Sequence, residues 1–394
     1  MKIAVDFHLH SKYSGATSSK MEIPVISKEA KLKGLDFVGT SDVFHPLWVS
    51  HLKKNLKEIE EGTFERKDVR FIITVEVEDN KRVHHLIILP SFSKVRELYE
   101  EFKKYSADID RDGRCHLNLE GNEIVEKVKS AEGLIGPAHA FTPWTSVYAE
   151  YDSLRDCYKE YFDKVDFLEL GLSADTDLAD YISELKNLTF MSNSDAHSPW
   201  PHRLGREFNI LDVEEKTYSD IVKAIKREDG RKFVMNVGLN PRLGKYHKTA
   251  CIKCFKIYSL EEAVKRKWRC ECGGRIKKGV YDRIMELKDQ EINHPEHRPP
   301  YVRIAPLAEI IALKKGCKVF TKRNTETYEK FLKKFKNEIN ILVNADYEDL
   351  KEIDKEIADL ILNYREGKID ITPGGGGRYG SLNLKNKGLD EWIT

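Results

Sequence analysis

The sequence predicts an α/β protein in which residues 1–240 form a parallel sheet closed into a barrel. A cysteine module over 241–280 and a mainly helical region over 281–394 follow it. Three observations predict this. Short apolar runs alternate with amphipathic stretches, the strand–helix pattern of a parallel sheet. Metal-type ligands stand at the end of one apolar run after another, and the carboxyl ends of barrel strands are where such folds collect function. Four cysteines then cluster with metal spacing, after which the pattern turns helical.

The elements follow in order. Ile3-Ala4-Val5 is the first strand and ends in Asp6-Phe7-His8-Leu9-His10. A strand sends alternate side chains to opposite faces, so His8 and His10 share one. A helix over 23–33 precedes the strand Leu35-Asp36-Phe37-Val38, which leads to Asp42 and His45. The strand Phe71-Ile72-Ile73-Thr74-Val75 leads to Glu76, and a further strand carries His84 and His85. Only one of these adjacent histidines can face the other ligands, and His84 is preferred. A helix over 120–131 precedes the run to His139; one over 151–162 precedes Val165-Asp166-Phe167-Leu168. The run from Leu188 to Ser194 leads to Asp195 and His197, and a helix over 218–227 precedes Phe233-Val234-Met235. Further helices are expected over 306–315, 325–337 and 347–365, with a glycine-rich loop at Pro373–Gly380.

His8, His10, Asp42, His45, Glu76, His84, His139, Asp195 and His197 are thus nine candidate ligands of mixed imidazole and carboxylate type. One tetrahedral ion needs three or four. The set suits two or three divalent ions, Zn, Mn or Fe ahead of Mg, with Glu76 bridging. Such a cluster lowers the pKa of water and offsets charge on a leaving oxygen, the chemistry of phosphoester hydrolysis. Glu76, Asp195 and His197 are the expected catalytic residues. Lys12, Arg203 and Arg206 lie beside ligand loops and are candidate phosphate contacts. Gly375, Gly376 and Tyr379 of the glycine-rich loop are candidate substrate contacts through closely approaching backbone.

Cys251-x₂-Cys254-x₁₅-Cys270-x-Cys272 has zinc-ribbon spacing and predicts one structural Zn²⁺. Net charge is +1 overall, yet 242–288 carries 14 Lys+Arg against 5 Asp+Glu. A basic segment on an otherwise acidic body is the footprint of a polyanion partner. Lys265-Arg266-Lys267-Trp268-Arg269 mixes cations with an aromatic ring, as nucleic-acid surfaces do. Cys115, Cys157 and Cys317 are scattered and read as neutral thiols, so the expected compartment is reducing and cytoplasmic. No uncharged apolar run reaches the ~18 residues of a membrane span. The chain opens directly on a strand, so no removable signal is expected.

These motifs carry a resemblance. His8-Leu9-His10, the Asp42 loop, Glu76, the His84 strand, Pro137-Ala138-His139 and Ser194-Asp195-Ala196-His197 resemble those of the polymerase-and-histidinol-phosphatase (PHP) superfamily. That likeness covers about residues 1–235 and implies a distorted (β/α)₇ barrel with a three-metal phosphoesterase centre. The family's Thr-Asp-His is here Thr40-Ser41-Asp42-Val43-Phe44-His45, with the histidine displaced. Over nearly the whole chain, the order of barrel, ribbon, Arg298-Pro299-Pro300-Tyr301, Pro306-Leu307-Ala308-Glu309-Ile310-Ile311 and glycine loop resembles the endonuclease Q family of archaea and bacteria. The resemblance implies a DNA-repair enzyme that nicks double-stranded DNA on the 5′ side of uracil, hypoxanthine, xanthine and abasic sites. It leaves open a sliding clamp as a further partner. Two other readings remain at this stage: a phosphatase of a small phosphorylated metabolite, and a non-enzymatic zinc-containing nucleic-acid binder.

Overall fold

The computed structural model describes residues 1–383; the end of the expected C-terminal region, 384–394, lies outside the described residues. The barrel is built from β1 (Lys2–Asp6), β2 (Phe37–Gly39), the hairpin β3 (Lys57–Glu60) and β4 (Thr63–Arg66), β5 (Val69–Glu78), β6 (His84–Leu89), β7 (Leu134–Pro137), β8 (Phe167–Glu169), β9 (Thr189–Met191), β10 (Phe208–Asp212) and β11 (Lys232–Gly238). In space the order is β11-β10-β1-β2-β5-β6-β7. Next to β7 come β8 and β9, a parallel pair joined to it by Asp166 N–H donating to Ile135 O and Ala140 N–H to Glu169 O. The ring closes where Leu9 bridges Ala196 in parallel. Side-chain amides stitch this seam: Asn193 Oδ1 accepts the Phe7 amide at 3.0 Å, and Asn209 exchanges bonds with both backbone groups of Ser192.

The sheet is mixed, not all-parallel as expected: β6 runs antiparallel to β5 and β7, and β10 to β1. The cause is local. Only residues 79–83 separate β5 from β6, and a connection that short can only reverse the chain. The Asp79 carboxylate holds the turn by accepting the amides of Lys81 and Val83, both at 2.8 Å. One apolar cluster, with Ile3, Val5, Phe7, Phe37, Ile72, Leu86, Ile88, Phe167 and Met191, fills the barrel; a larger one packs the helices outside.

The helices start and stop on familiar chemistry. Helix Ile23–Lys33 has Pro24 in its first turn and ends on Gly34 at φ +98°. Helix Gly121–Ser130 opens with a Glu120/Glu123 capping box. The expected helix over 347–365 is two, Tyr347–Lys351 and Lys355–Arg365, because the Asp354 side chain takes the Ile357 amide and starts a new helix. With Leu307–Lys315 and Lys322–Phe335 they form the C-terminal region. Before it, β12 (Ala250–Cys251) and β13 (Ile276–Lys277) pair within the cysteine module, and β14 (Tyr301–Arg303) returns to extend the barrel sheet beside β11. Two buried ion pairs tie these parts together: Lys33 with Glu338 at 2.8 Å, and Arg298 with Asp180 at 3.0 Å. No helix of the described residues is long and apolar enough to cross a membrane.

Glu207 sits fully buried beneath this sheet, with Oε1 accepting the Leu239 amide and Oε2 without a partner. Burial pushes its pKa up from 4.5 to about 8. The folded chain therefore keeps a proton that the unfolded chain releases, and stability falls as pH rises from about 4.5 to 8, by at most ~1.36 kcal/mol per pH unit. Glu207→Gln removes this term. Its melting temperature should gain on that of the parent steadily across that window in calorimetry, and equal offsets at pH 5 and pH 8 would refute the assignment.

Candidate active site

Strand direction brings the ligand candidates to one rim. His8 and His10 follow β1, Asp42 follows β2, Glu76 lies near the end of β5, His139 follows β7 and Asp195 follows β9. Because β6 runs backwards, its first residue, His84, lies at the same rim. Register then separates the two adjacent histidines. His84 stands opposite Glu78, on the face that also bears Glu76, whereas His85 stands opposite Val77. His85 turns away to Asp79 at 3.2 Å and the Tyr158 hydroxyl at 3.0 Å.

Glu76 is the hub. Its Oε1 lies 2.9 Å from His84 Nδ1, 2.9 Å from His139 Nε2 and 3.5 Å from His8 Nε2. Its Oε2 lies 3.3 Å from His10 Nε2 and 3.4 Å from Arg114. Asp195 Oδ1 lies 3.2 Å from His10 Nε2 and 3.5 Å from His197 Nδ1. Burial would raise the pKa of Glu76, but the imidazoles of His84 and His8 hold it well below the usual carboxylate range. Asp195 is likewise held down, against burial, by His10 and His8.

This donor set fits divalent ions. His8 Nε2, His10 Nε2, Asp42 Oδ1 and Asp195 Oδ1 are all buried with no hydrogen-bond partner, which is costly unless a cation meets them. Three overlapping ligand trios lie within reach of one another: His8-His10-Glu76, His10-Asp195-His197 and Glu76-His84-His139. The other ring nitrogens are oriented from behind. Glu169 bonds His8 Nδ1 at 2.8 Å, Thr142 Oγ1 sits 3.1 Å from His139 Nδ1, and Ser14 Oγ sits 3.2 Å from His10 Nδ1.

Backbone strain concentrates here. Asp42, His139 and Asp195 all adopt left-handed φ, at +44°, +30° and +46°. A non-glycine residue held there costs about 1–3 kcal/mol and marks a conformation imposed by its surroundings. Gly113 is required beside Asp42: a Cβ there would fall 2.4 Å from Asp42 Oδ2.

The remaining candidates are dispersed. His45 is buried and stacks on Tyr13 at 4.1 Å, outside the three trios, although its Nδ1 also lacks a partner. Lys12 pairs with Glu22 at 2.6 Å. Arg206 is half-buried and donates to Ser194 O at 2.9 Å, next to Asp195; Arg203 lies 3.8 Å from Glu309. The amides of Gly374, Gly375, Gly377 and Gly380 are spent on backbone carbonyls, three of them within 242–245. Those four amides are therefore not free donors to a ligand; the Gly376 amide is not among them, and Tyr379 is 67% exposed. Sequence reasoning missed Arg114, Glu78 and Glu169. Arg114 in Asp112-Gly113-Arg114 carries no local signal, and Glu169, the last residue of β8, fits the same strand-end pattern as the ligands.

In the cysteine module all four sulfurs approach one another, with Cys251–Cys272 and Cys254–Cys270 at 3.5 Å. Tyr258 Oη lies 3.0 Å from Cys270 Sγ, and the Lys253 amide donates to Cys251 Sγ. Four converging thiols with such donors fit a closed Zn²⁺ site.

A solved endonuclease Q, in complex with a 27-mer duplex substrate bearing an abasic lesion at the active site, is 50% identical to this chain, with full coverage of both and a TM-score of 0.95. The chain belongs to the endonuclease Q family. The lesion-specific endonuclease of Pyrococcus furiosus is 52% identical over 97% of this chain and 95% of that one, with a TM-score of 0.94. Among curated relatives, the uncharacterized protein YqxK of Bacillus subtilis is 32% identical over 97% of this chain and 99% of its own length. The uncharacterized protein MJ0043 of Methanocaldococcus jannaschii is 50% identical over 278 residues, and the match spans only 34% of that longer protein. Residues 306–368 match the MJ0043 C-terminal domain family.

Proposed function

We propose that this protein is a metal-dependent DNA endonuclease of the repair type, which cuts the phosphodiester on the 5′ side of a lesion in duplex DNA. The observation that carries the reading is the Glu76-centred rim of unpartnered imidazole nitrogens and carboxylate oxygens, in a chain of this family. Bound there, two or three divalent ions, Zn, Mn, Fe or Mg, supply the Lewis acidity that hydrolysis of a phosphodiester needs. His8, His10, Asp42, Glu76, His84, His139, Asp195 and His197 would hold them, with Glu76, like His10, belonging to two of the ligand trios. Glu169 fixes the His8 ring and Thr142 that of His139.

Arg114, Lys12, Arg203 and Arg206 supply positive charge to phosphates beside the cut. Asp195 and His197, the more open members of the rim, face the reacting phosphate. The proposed units are the barrel over 1–240, the zinc ribbon over 241–280 and the C-terminal unit over 281–394, whose helices lie among the described residues. The ribbon's cations hold backbone phosphates, so affinity falls steeply with salt. Abasic sites, and the deaminated bases uracil, hypoxanthine and xanthine, are the lesions of this reading. A damaged base pairs poorly and is cheap to unstack, which gives a physical basis for selectivity.

The test is incubation with end-labelled duplexes carrying an abasic site, uracil, hypoxanthine, xanthine or no lesion, with and without chelator. Expected is one nick 5′ to each lesion, none in the intact duplex, and loss on chelation with recovery on adding back Mn²⁺ or Zn²⁺. Release of phosphate from small phosphoesters without nicking would favour the phosphatase reading, and binding alone the non-enzymatic one.

A further inference from the structure

The loop that follows His139 ends in an exposed aromatic side chain whose place the ligand geometry does not explain. Trp144 is 57% exposed. The loop is braced on both sides of Trp144: Thr142 Oγ1 bonds the His139 ring, the Ser146 hydroxyl bonds Thr142 O, and Thr145 O accepts the His84 amide. Trp144 is thereby tied by its neighbours to two rim histidines. Lys277 of the ribbon lies 3.7 Å from the centre of its indole and donates to Pro143 O at 3.1 Å. Tyr246 stands edge-on to the same ring at 5.8 Å. Lys245 then lies 5.6 Å from the ring of Tyr246 and 5.8 Å from that of Tyr379 on the glycine loop.

Three rings and two lysines therefore form one surface strip, from the rim loop across the root of the ribbon to the glycine loop. No acidic residue occurs from His139 to Ala149. A lone exposed tryptophan needs no special account. A rigid one beside a phosphoester centre, in a row with exposed tyrosine and cations, has the make-up of a single-strand stacking platform. Every base offers a π-face, so such a strip grips unpaired bases of any identity while the lysines meet phosphates.

We infer that Trp144 is a stacking residue that receives an unpaired base of the nicked strand beside the scissile phosphate, with Tyr246 and Tyr379 continuing the platform. The inference rests on the endonuclease reading above. It accounts for how a rim that reads only phosphate is kept at the lesion: a base in or beside a lesion has lost a pairing or stacking neighbour and is cheap to unstack, whereas a base of an intact duplex is not. The bland alternative is that Trp144 merely seats Lys277 and so fastens the ribbon to the barrel.

The full-length protein, Trp144→Ala and Trp144→Phe are compared on abasic duplexes with 2-aminopurine placed next to the lesion in the nicked strand or opposite it. Binding is measured by anisotropy and stacking by 2-aminopurine quenching, and metal content is checked in each variant. Expected is quenching at the flanking position that is lost in Trp144→Ala and largely kept in Trp144→Phe, with about a tenfold or greater rise in Kd for the alanine variant. Unchanged quenching in Trp144→Ala, or a change confined to the opposite strand, overturns the inference. If affinity falls with quenching intact, Trp144 only fastens the ribbon, and the inference is again refuted. Should the parent protein nick no lesion duplex, the endonuclease reading fails instead, a result separable from any of these.

Discussion

Asp195→Asn is expected to reduce single-turnover nicking of an abasic duplex by about a thousandfold or more, about 4 kcal/mol of lost transition-state stabilisation at 1.36 kcal/mol per tenfold. Asp195 Oδ1 faces His10 and His8 and has no hydrogen-bond partner, so the fold gives this oxygen nothing to do except meet a cation. Asparagine keeps the shape and tolerates the left-handed φ of +46° that alanine would strain, so lost activity is not mistaken for lost folding. The charge alone disappears. Elemental analysis should find less metal per chain in the variant, while duplex affinity at low salt stays within about threefold because the ribbon's cations are untouched. Undiminished nicking at full metal content would remove Asp195 from the centre. Glu76→Gln should be at least as damaging, since both oxygens of Glu76 face imidazoles and one carboxylate serves both sides of the rim.

Much of this rim was legible in the sequence because its information is local. A ligand just beyond an apolar run is placed by the strand that precedes it, so His8, His10, Asp42, Glu76, His139 and Asp195 could be found without knowing which strands are neighbours. Local alternation said only that one of His84 and His85 can face the other ligands; the register with β5 puts His84 on the face of Glu76. What was missed depends on distant pairing. Arg114 reaches Glu76 from a loop with no strand signal, and Asn209 closes the barrel seam by standing in for backbone. The parallel sheet was over-generalised: the short turn after Asp79 already required a reversal, and that reversal is what delivers His84 to the rim. His45, displaced from its usual spacing, stacks on Tyr13 and, like Asp42, lies outside the three trios.

Cys270→Ser should release the ribbon's ion and, with it, the ribbon's grip on DNA. The module has a core of only Cys251, Tyr258, Ala263, Cys270 and Ile276, far too little apolar area to offset chain entropy. Two of those five are ligands, so metal binding and folding are one event, worth about 10–16 kcal/mol in comparable zinc peptides. The variant should lose one zinc per chain, gain protease cuts within 251–275 and bind lesion duplex at least about tenfold more weakly, with a shallower dependence on salt. The barrel and the C-terminal helices, which share one large apolar cluster separate from the ribbon's small one, should keep their thermal transition. Loss should also spread to the rim loop, because Lys277 of β13 holds Pro143 and Trp144, and Gly374 and Gly375 pack along 242–250. Nicking should therefore become less lesion-selective at enzyme excess, not simply slower. An unchanged ratio of lesion to intact-duplex cleavage in Cys270→Ser, with the zinc demonstrably gone, would show that the ribbon only adds affinity and that selectivity resides in the barrel alone.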